Sequence, residues 1–152
     1  MNTLIHPITF SIPEEKIINY IPKKTKILST LIPGDLTTYI YNNELDYYNE
    51  YKTSMFAITK KKGGWDCMRH YEIMANGCIP LFDDIANCPR FVMMRAPKAL
   101  WTKIAFFEKN DPKWIDKNYD YFQDETMKHL LRYNTTVRNS EHFLKEIRLH
   151  TK

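Results

Sequence analysis

Apolar and polar positions change rhythm repeatedly along this chain. Short runs of consecutive apolar residues, the mark of buried strands, alternate with stretches in which apolar residues recur every three or four positions, the mark of amphipathic helices. "SIPEEKIINYIP" (11–22) predicts a short helix: Ser11 and Glu14 have capping-box spacing, Pro13 suits a first turn, and Pro22 stops it. "KILSTLIP" predicts a buried strand ending in the turn Pro33-Gly34-Asp35. "TTYIY" fits either a short strand or an extended loop. "NELDYYNEYKTS" predicts a helix capped by Asn43, with Leu45, Tyr48 and Tyr51 (or Lys52) on one side. "MFAIT" is a strand. A loop over 60–66 then leads into a helix over 67–76, closed by Gly77 as a left-handed terminator. "CIPLF" and "RFVMM" predict two more strands, and "PKALWTKIAFF" a helix with Pro97 in its first turn. "DETMKHLLRY" and "SEHFLKEIRLH" are two helical segments separated by "NTTVRN".

Alternation of this kind argues for βα units with a largely parallel sheet covered on both faces. The expected fold class is therefore α/β, a single three-layer Rossmann-like domain over 1–152, with no internal repeat or linker. At 152 residues, 43% hydrophobic and 26% charged, the chain has the size and balance of one globular domain. No apolar run approaches the roughly 20 residues that cross a bilayer. "MNTLIHPITF" lacks the basic-then-apolar pattern of a secretion signal, so a cytoplasmic setting is expected. The three cysteines, Cys67, Cys78 and Cys88, argue against a disulfide framework and match no compact zinc spacing. They are expected to be buried as small hydrophobes, with no metal. A net charge of +4 favours anionic partners without identifying one.

One stretch adds chemistry to this outline. "KKKGGWDCMRHYEIMANGCIPLF" (60–82) holds three of the chain's four glycines beside its densest block of positive charge. In parallel α/β sheets, ligands sit where carboxyl ends of strands feed helix N-termini, and the 60–66 loop occupies that position. Gly63 and Gly64 let the backbone approach a ligand and turn its N–H groups toward an anion, while the following helix adds the positive end of its dipole. Lys60, Lys61 and Lys62 supply counter-charge. Arg69, Glu72 and Asn76 share one helix face. A cation in the first turn opposes the dipole, a cost that a bound anion offsets. The plain alternative is a solvated Arg–Glu pair worth a few tenths of a kcal/mol.

"GGWDCMRHYEIMANGCIPLFDD" resembles the nucleotide-sugar-binding core of exostosin-like glycosyltransferases and of related viral and bacterial GT-B enzymes. Their pattern of strand, Gly-rich turn and Arg-x-x-Glu-x-x-x-x-Gly-Cys-x-Pro falls here on Arg69, Glu72, Gly77, Cys78 and Pro80. "YYNEYKTSMFAIT" is similar to the helix and strand that precede that core, and "DDIANCP" to its continuation. The likeness covers about 44–89. It implies one half of a GT-B fold, a metal-independent, cofactor-free domain that binds a nucleoside diphosphate sugar for transfer to a glycan or other acceptor. By the same likeness Arg69 would neutralise the diphosphate, Glu72 would hold the ribose hydroxyls, and the amides of Gly63 and Gly64 would meet phosphate, with Lys62 beside them. Gly34 and Asp35, at another strand end, would reach the base or the sugar.

Two departures qualify what the resemblance implies. Many retaining members carry a further Glu eight residues before the ribose-binding one, and here that position is Gly64; Asp66 is the candidate to replace it, and the one catalytic candidate. GT-B enzymes also have two halves, and 152 residues accommodate one. The chain is then a donor half, a subunit completed by a separate acceptor chain or by a homo-oligomer, or a binding protein without catalysis of its own. Trp65 divides evenly between ligand contact and loop anchoring. His70 lies on another helix face, with a packing role expected. Asp83 and Asp84 do not fit the flanks of a metal-binding Asp-x-Asp. The basic residues Lys128, Arg132, Arg138, Lys145 and Arg148 suit amphipathic helices covering the sheet over about 97–150, or a surface for the missing half or an anionic membrane, which would make the protein membrane-peripheral. The charge and the tyrosines raise a nucleic-acid-binding domain as a rival. Lysines spread along the whole chain oppose it, and no nucleic-acid partner is expected.

Overall fold

The computed structural model of the chain describes residues 9–150. The reading of the first residues as lacking a secretion signal falls mainly on 1–8, outside the described ones. Three parallel strands, β1 (Lys26–Leu28), β2 (Ser54–Thr59) and β3 (Ile79–Phe82), form an open sheet in the order β1-β2-β3. Helices α1 (Glu44–Thr53) and α2 (Met68–Ala75) make the two crossovers. After β3 come α3 (Lys98–Asn110), α4 (Pro112–Lys117), α5 (Tyr119–His129), a π-helical turn over Leu130–Asn134, and α6 (Thr136–His150). The protein is thus an α/β domain with an open, three-stranded parallel sheet. No helix among the described residues is long and apolar enough to cross a membrane.

Register divides the sheet's side chains between two layers. Phe56 pairs with Ile79 and Ile58 with Leu81; Ala57 pairs with Pro80 and Thr59 with Phe82. Successive strand residues point to opposite faces. On one face Phe56, Ile79 and Leu81 pack with Ile104, Ile115, Tyr119 and Phe122 from α3, α4 and α5. On the other, Ala57 packs with Tyr51 of α1 and Ile73 of α2, and Phe82 with Tyr71 and Met74. Burial on both faces explains why β2 and β3 read as continuous apolar runs.

The strand expected at "KILSTLIP" shrinks to three residues at the sheet edge, where Ile27 and Leu28 are exposed instead of buried. The expected N-terminal helix is a single 3₁₀ turn, Glu14–Lys16. Its neighbours spend their backbone groups elsewhere: Ile12 N–H on Asn134 O (3.0 Å), Ile12 O on Thr136 N–H (2.9 Å), and Ile18 N–H on Ala75 O (2.9 Å). Those bonds satisfy the same donors that a helix would need. "TTYIY" is loop with one 3₁₀ turn, Leu36–Thr38. "RFVMM" is not a strand; Met93 is left-handed (φ 51°) and the segment folds into turns. In α1 Asn43 caps as expected, its Oδ1 2.9 Å from Asp46 N, but Leu45 faces solvent and the buried face is Glu50 and Tyr51. A helix that sequence did not announce, α4, starts where the Asp111 carboxylate caps Trp114 N (3.1 Å) and Pro112 occupies the first turn. "NTTVRN" separates the last helices for little more than Thr135, because α6 begins at Thr136.

Gly77 ends α2 as expected. Its φ is +66°, its N–H bonds Met74 O (2.9 Å), and Cys78 N–H bonds Ile73 O (3.1 Å), the paired bonds of a Schellman motif. Of the three cysteines, Cys78 is fully buried, its thiol pushed up to about 12 by desolvation, while Cys67 and Cys88 are half-buried.

Candidate functional site

Parallel order brings the carboxyl ends of β1 and β2 side by side, and the loops that follow them meet. Ile32-Pro33-Gly34-Asp35 is a type II turn: Asp35 N–H bonds Ile32 O (3.1 Å), Pro33 takes the second position and Gly34, at φ +94°, the third. A Cβ on Gly34 would lie 3.6 Å from Lys60 Nζ, so the turn touches the start of the 60–66 loop. Asp35 is committed locally. Its Oδ1 accepts from Thr37 N (3.0 Å) and Thr37 Oγ1 (2.6 Å), and these bonds hold its carboxyl below the usual range.

Residues Lys60 to Gly64 are exposed, and Lys62 N–H bonds Gly64 O (3.2 Å). Neither Gly63 nor Gly64 is left-handed. A Cβ would meet nothing within 4 Å at Gly63, and only Asp66 O at 3.9 Å at Gly64. The loop's own fold therefore does not demand glycine at either position, and the bare backbone faces outward. Its far end is anchored from within. Trp65 packs against the core with its ring stacked on Phe82 (centroids 6.0 Å), and Lys61 Nζ lies 5.2 Å over it. Anchoring is thus the role the structure gives Trp65.

His70 completes the anchor. Buried, with its pKa driven down to about 4 by desolvation, the ring is neutral. Trp65 O can only accept, so His70 Nε2–H donates to it (2.8 Å) and Nδ1 accepts from the Thr59 hydroxyl (2.8 Å). Asp66 is equally committed: Oδ2 accepts from Phe10 N (2.9 Å) and Oδ1 from Tyr71 OH (2.9 Å), while burial pushes its carboxyl up. A carboxylate tied to two structural donors is poorly placed to take a proton from a substrate.

Arg69 stands in the first turn of α2, half-buried, and its Nη1 is buried with no hydrogen-bond partner. Glu72, one turn on, accepts a 3.2 Å bond from Tyr47 OH and has the Tyr48 hydroxyl as a second donor; burial is the main reason its carboxyl is pushed up, against the pull of Tyr47, Arg69 and Tyr48. No ion pair joins the two within 4 Å. A solvated Arg–Glu pair is therefore not what the helix carries: both charges are partly desolvated, and they do not neutralise each other by direct contact. Asn76 leaves this face. It is fully buried, its Nδ2 bonding Glu72 O (2.8 Å) at the helix end.

No protein-family model, curated protein or solved structure matches this chain.

The structure joins to this corner residues that sequence reading placed elsewhere. Tyr47 and Tyr51 of α1 stack edge-on (5.1 Å) with their hydroxyls 3.1 Å apart, and Tyr47 reaches across to Glu72. Tyr48 also feels the Glu72 charge, and burial, then that charge, pushes its hydroxyl pKa up. The i, i+4 spacing of Tyr47 and Tyr51 was the available signal. Gly34 thus meets Lys60 at the ends of β1 and β2, Lys62, Gly63 and Gly64 lie exposed in the loop that follows β2, and Arg69 and Glu72 stand on the first two turns of α2, whereas Trp65, Asp66 and Asp35 are engaged in holding loops. No group of three or more His, Cys, Asp or Glu side chains that could hold a metal ion occurs among the described residues.

Proposed function

We propose that the domain binds a nucleoside diphosphate sugar at this corner, as the donor-binding part of a GT-B-type glycosyltransferase. The carrying observation is Arg69: a buried guanidinium N–H without an acceptor, in the first turn of the helix that follows the exposed Gly63-Gly64 loop. A buried, unmet donor on a cation costs stability, and an anionic ligand removes that cost. A diphosphate spanning the loop amides and Arg69 would satisfy both, and neutralising it assists departure of the nucleotide as its charge grows during transfer. Glu72, its carboxylate met by the Tyr47 and Tyr48 hydroxyls alone, retains acceptor capacity for ribose hydroxyls.

Asp66 favours binding without independent turnover. The one carboxylate proposed for catalysis is occupied by Phe10 N–H and Tyr71 OH, so an acceptor-side group from another chain would supply the base. The test is thermal shift with UDP-, GDP-, ADP- and dTDP-sugars. One of them raises the melting temperature, and Arg69→Ala removes the rise while leaving the ligand-free protein folded. No shift with any donor sinks the proposal. Sugar transfer by the isolated chain would overturn its non-catalytic form.

A further inference from the structure

On the far side of β3 from this corner in sequence, residues 89–95 form a loop with an unusual division of side chains. Met93 is buried despite its left-handed backbone (φ 51°), and Val92 packs against the same core. Their neighbours Phe91 and Met94 are 61% and 46% exposed. A non-glycine residue at positive φ persists only where its surroundings hold it. Here the holder is Lys98, whose ammonium bonds the carbonyls of Pro89 (3.1 Å), Arg90 (3.1 Å) and Val92 (2.7 Å). The loop is thus pinned with one aromatic and one thioether side chain pointing out.

Positive charge surrounds those two side chains. Arg90 stacks on the Phe91 ring (5.5 Å). Arg95 bonds Tyr133 O (3.0 Å), and His129 Nε2 lies 2.8 Å from Arg95 O. These bonds join the loop to a cavity of about 660 Å³ whose charged and aromatic lining is Lys98, Lys128, His129, Arg132 and Tyr133 with a single carboxylate, Glu125. Arg132 rests on the Tyr133 ring at 5.1 Å. Of Arg90, Arg95, Lys98, Lys128 and Arg132, only Lys128 has a carboxylate within salt-bridge distance among the described residues. The others meet carbonyls or rings, which leave their charge uncancelled.

We propose that this face docks on an anionic phospholipid bilayer, with Phe91 and Met94 entering the headgroup–acyl boundary and Arg90, Arg95 and Arg132 meeting lipid phosphates. Interfacial binding grows with buried apolar area and with attraction to anionic lipid, and this loop and its surroundings supply both. Two projecting side chains form too small an apolar centre for a standard protein interface, whereas charge complementarity to a negative surface is extensive. The inference is independent of the nucleotide-sugar reading.

The test is co-sedimentation of the full chain with vesicles of phosphatidylserine and phosphatidylcholine in equal parts, beside vesicles of phosphatidylcholine alone. The protein is expected to pellet with the anionic vesicles, weakly or not at all with the neutral ones, and less as salt rises. Phe91→Ser with Met94→Ser, both at exposed positions, should lower the partition coefficient about tenfold. Arg90→Glu with Arg132→Glu should lower it by about as much, with unchanged circular dichroism in both variants. Failure to pellet with anionic vesicles, equal binding to neutral ones, or binding indifferent to both variants would overturn the proposal. So would a wild-type dimer that the Phe91 variant dissolves, since a second copy would then be the occupant.

Discussion

Two carboxylates, one on each of the adjacent helices α1 and α2, have been treated in opposite ways. Glu50 on α1 is buried and accepts from Lys26 Nζ, Ser29 Oγ (3.2 Å), Thr30 N (2.8 Å), Thr30 Oγ1 (3.1 Å) and Tyr41 OH (2.8 Å). Burial alone would raise its pKa; the bonds from Lys26, Thr30 and Tyr41 outweigh it and hold the group at about 2. Glu72 on α2 has only the hydroxyls of Tyr47 (3.2 Å) and Tyr48, and its pKa is raised. The first carboxylate fastens the chain after β1 to α1. The second meets tyrosine hydroxyls but no cation within 4 Å, while Arg69 on the same helix keeps one buried N–H group, Nη1, without an acceptor. A saturated polar cluster builds the fold; an unsaturated one, in the same small domain, is where a ligand has something to contribute.

The largest expected effect is on the saturated side. Glu50→Ala should destabilise the protein by about 3 kcal/mol in chemical denaturation, because five donors lose one acceptor. A loss near zero would erase the contrast. Asp66→Ala comes next, at about 2 kcal/mol, since Tyr71 OH is buried and Phe10 N–H loses its partner. A Glu50-type pH profile follows from sign. A carboxyl depressed in the folded state stabilises fully above its unfolded pKa near 4.5. That stability is lost as pH falls through about 2. Wild type should therefore lose about 2–3 kcal/mol more than Glu50→Gln over that window, read from denaturant midpoints.

The smallest effect sharpens the other side. Glu72 is raised, so its carboxylate form is a burden that appears as pH rises through the folded pKa. Glu72→Gln should stabilise the ligand-free protein at neutral pH by about half a kcal/mol, the half-exposed position letting water screen most of the cost. The same variant should weaken the nucleotide-sugar shift. A stability gain with the ligand response intact would detach Glu72 from the site.

Legibility in the sequence followed the range of the forces involved. β2, α2, the Gly77 terminator and β3 were readable because each depends on neighbours a few residues away: an apolar run, a 3.6-residue period, a left-handed glycine. That Arg69 and Glu72 stand one turn apart on a helix was readable for the same reason. The N-terminal helix failed because Ile12 and Ile18 bond backbone groups more than 50 residues away, which no local pattern announces. "RFVMM" failed because a lysine downstream claims its carbonyls. Trp65 was left between ligand contact and anchoring, and Asp66 was read toward the ligand, since composition cannot say whether a polar or aromatic residue in a glycine-bearing loop points outward or inward.

Asp66 gives the glycine-bearing turn and the leading part of the chain a common latch, for its carboxylate holds the Phe10 amide together with the Tyr71 hydroxyl. The amide and its acceptor are separated by 56 positions in sequence. Replacing Phe10 with proline, which has no amide hydrogen to give, would therefore slacken a loop that Phe10 does not belong to, and trimming the chain past this point would do the same.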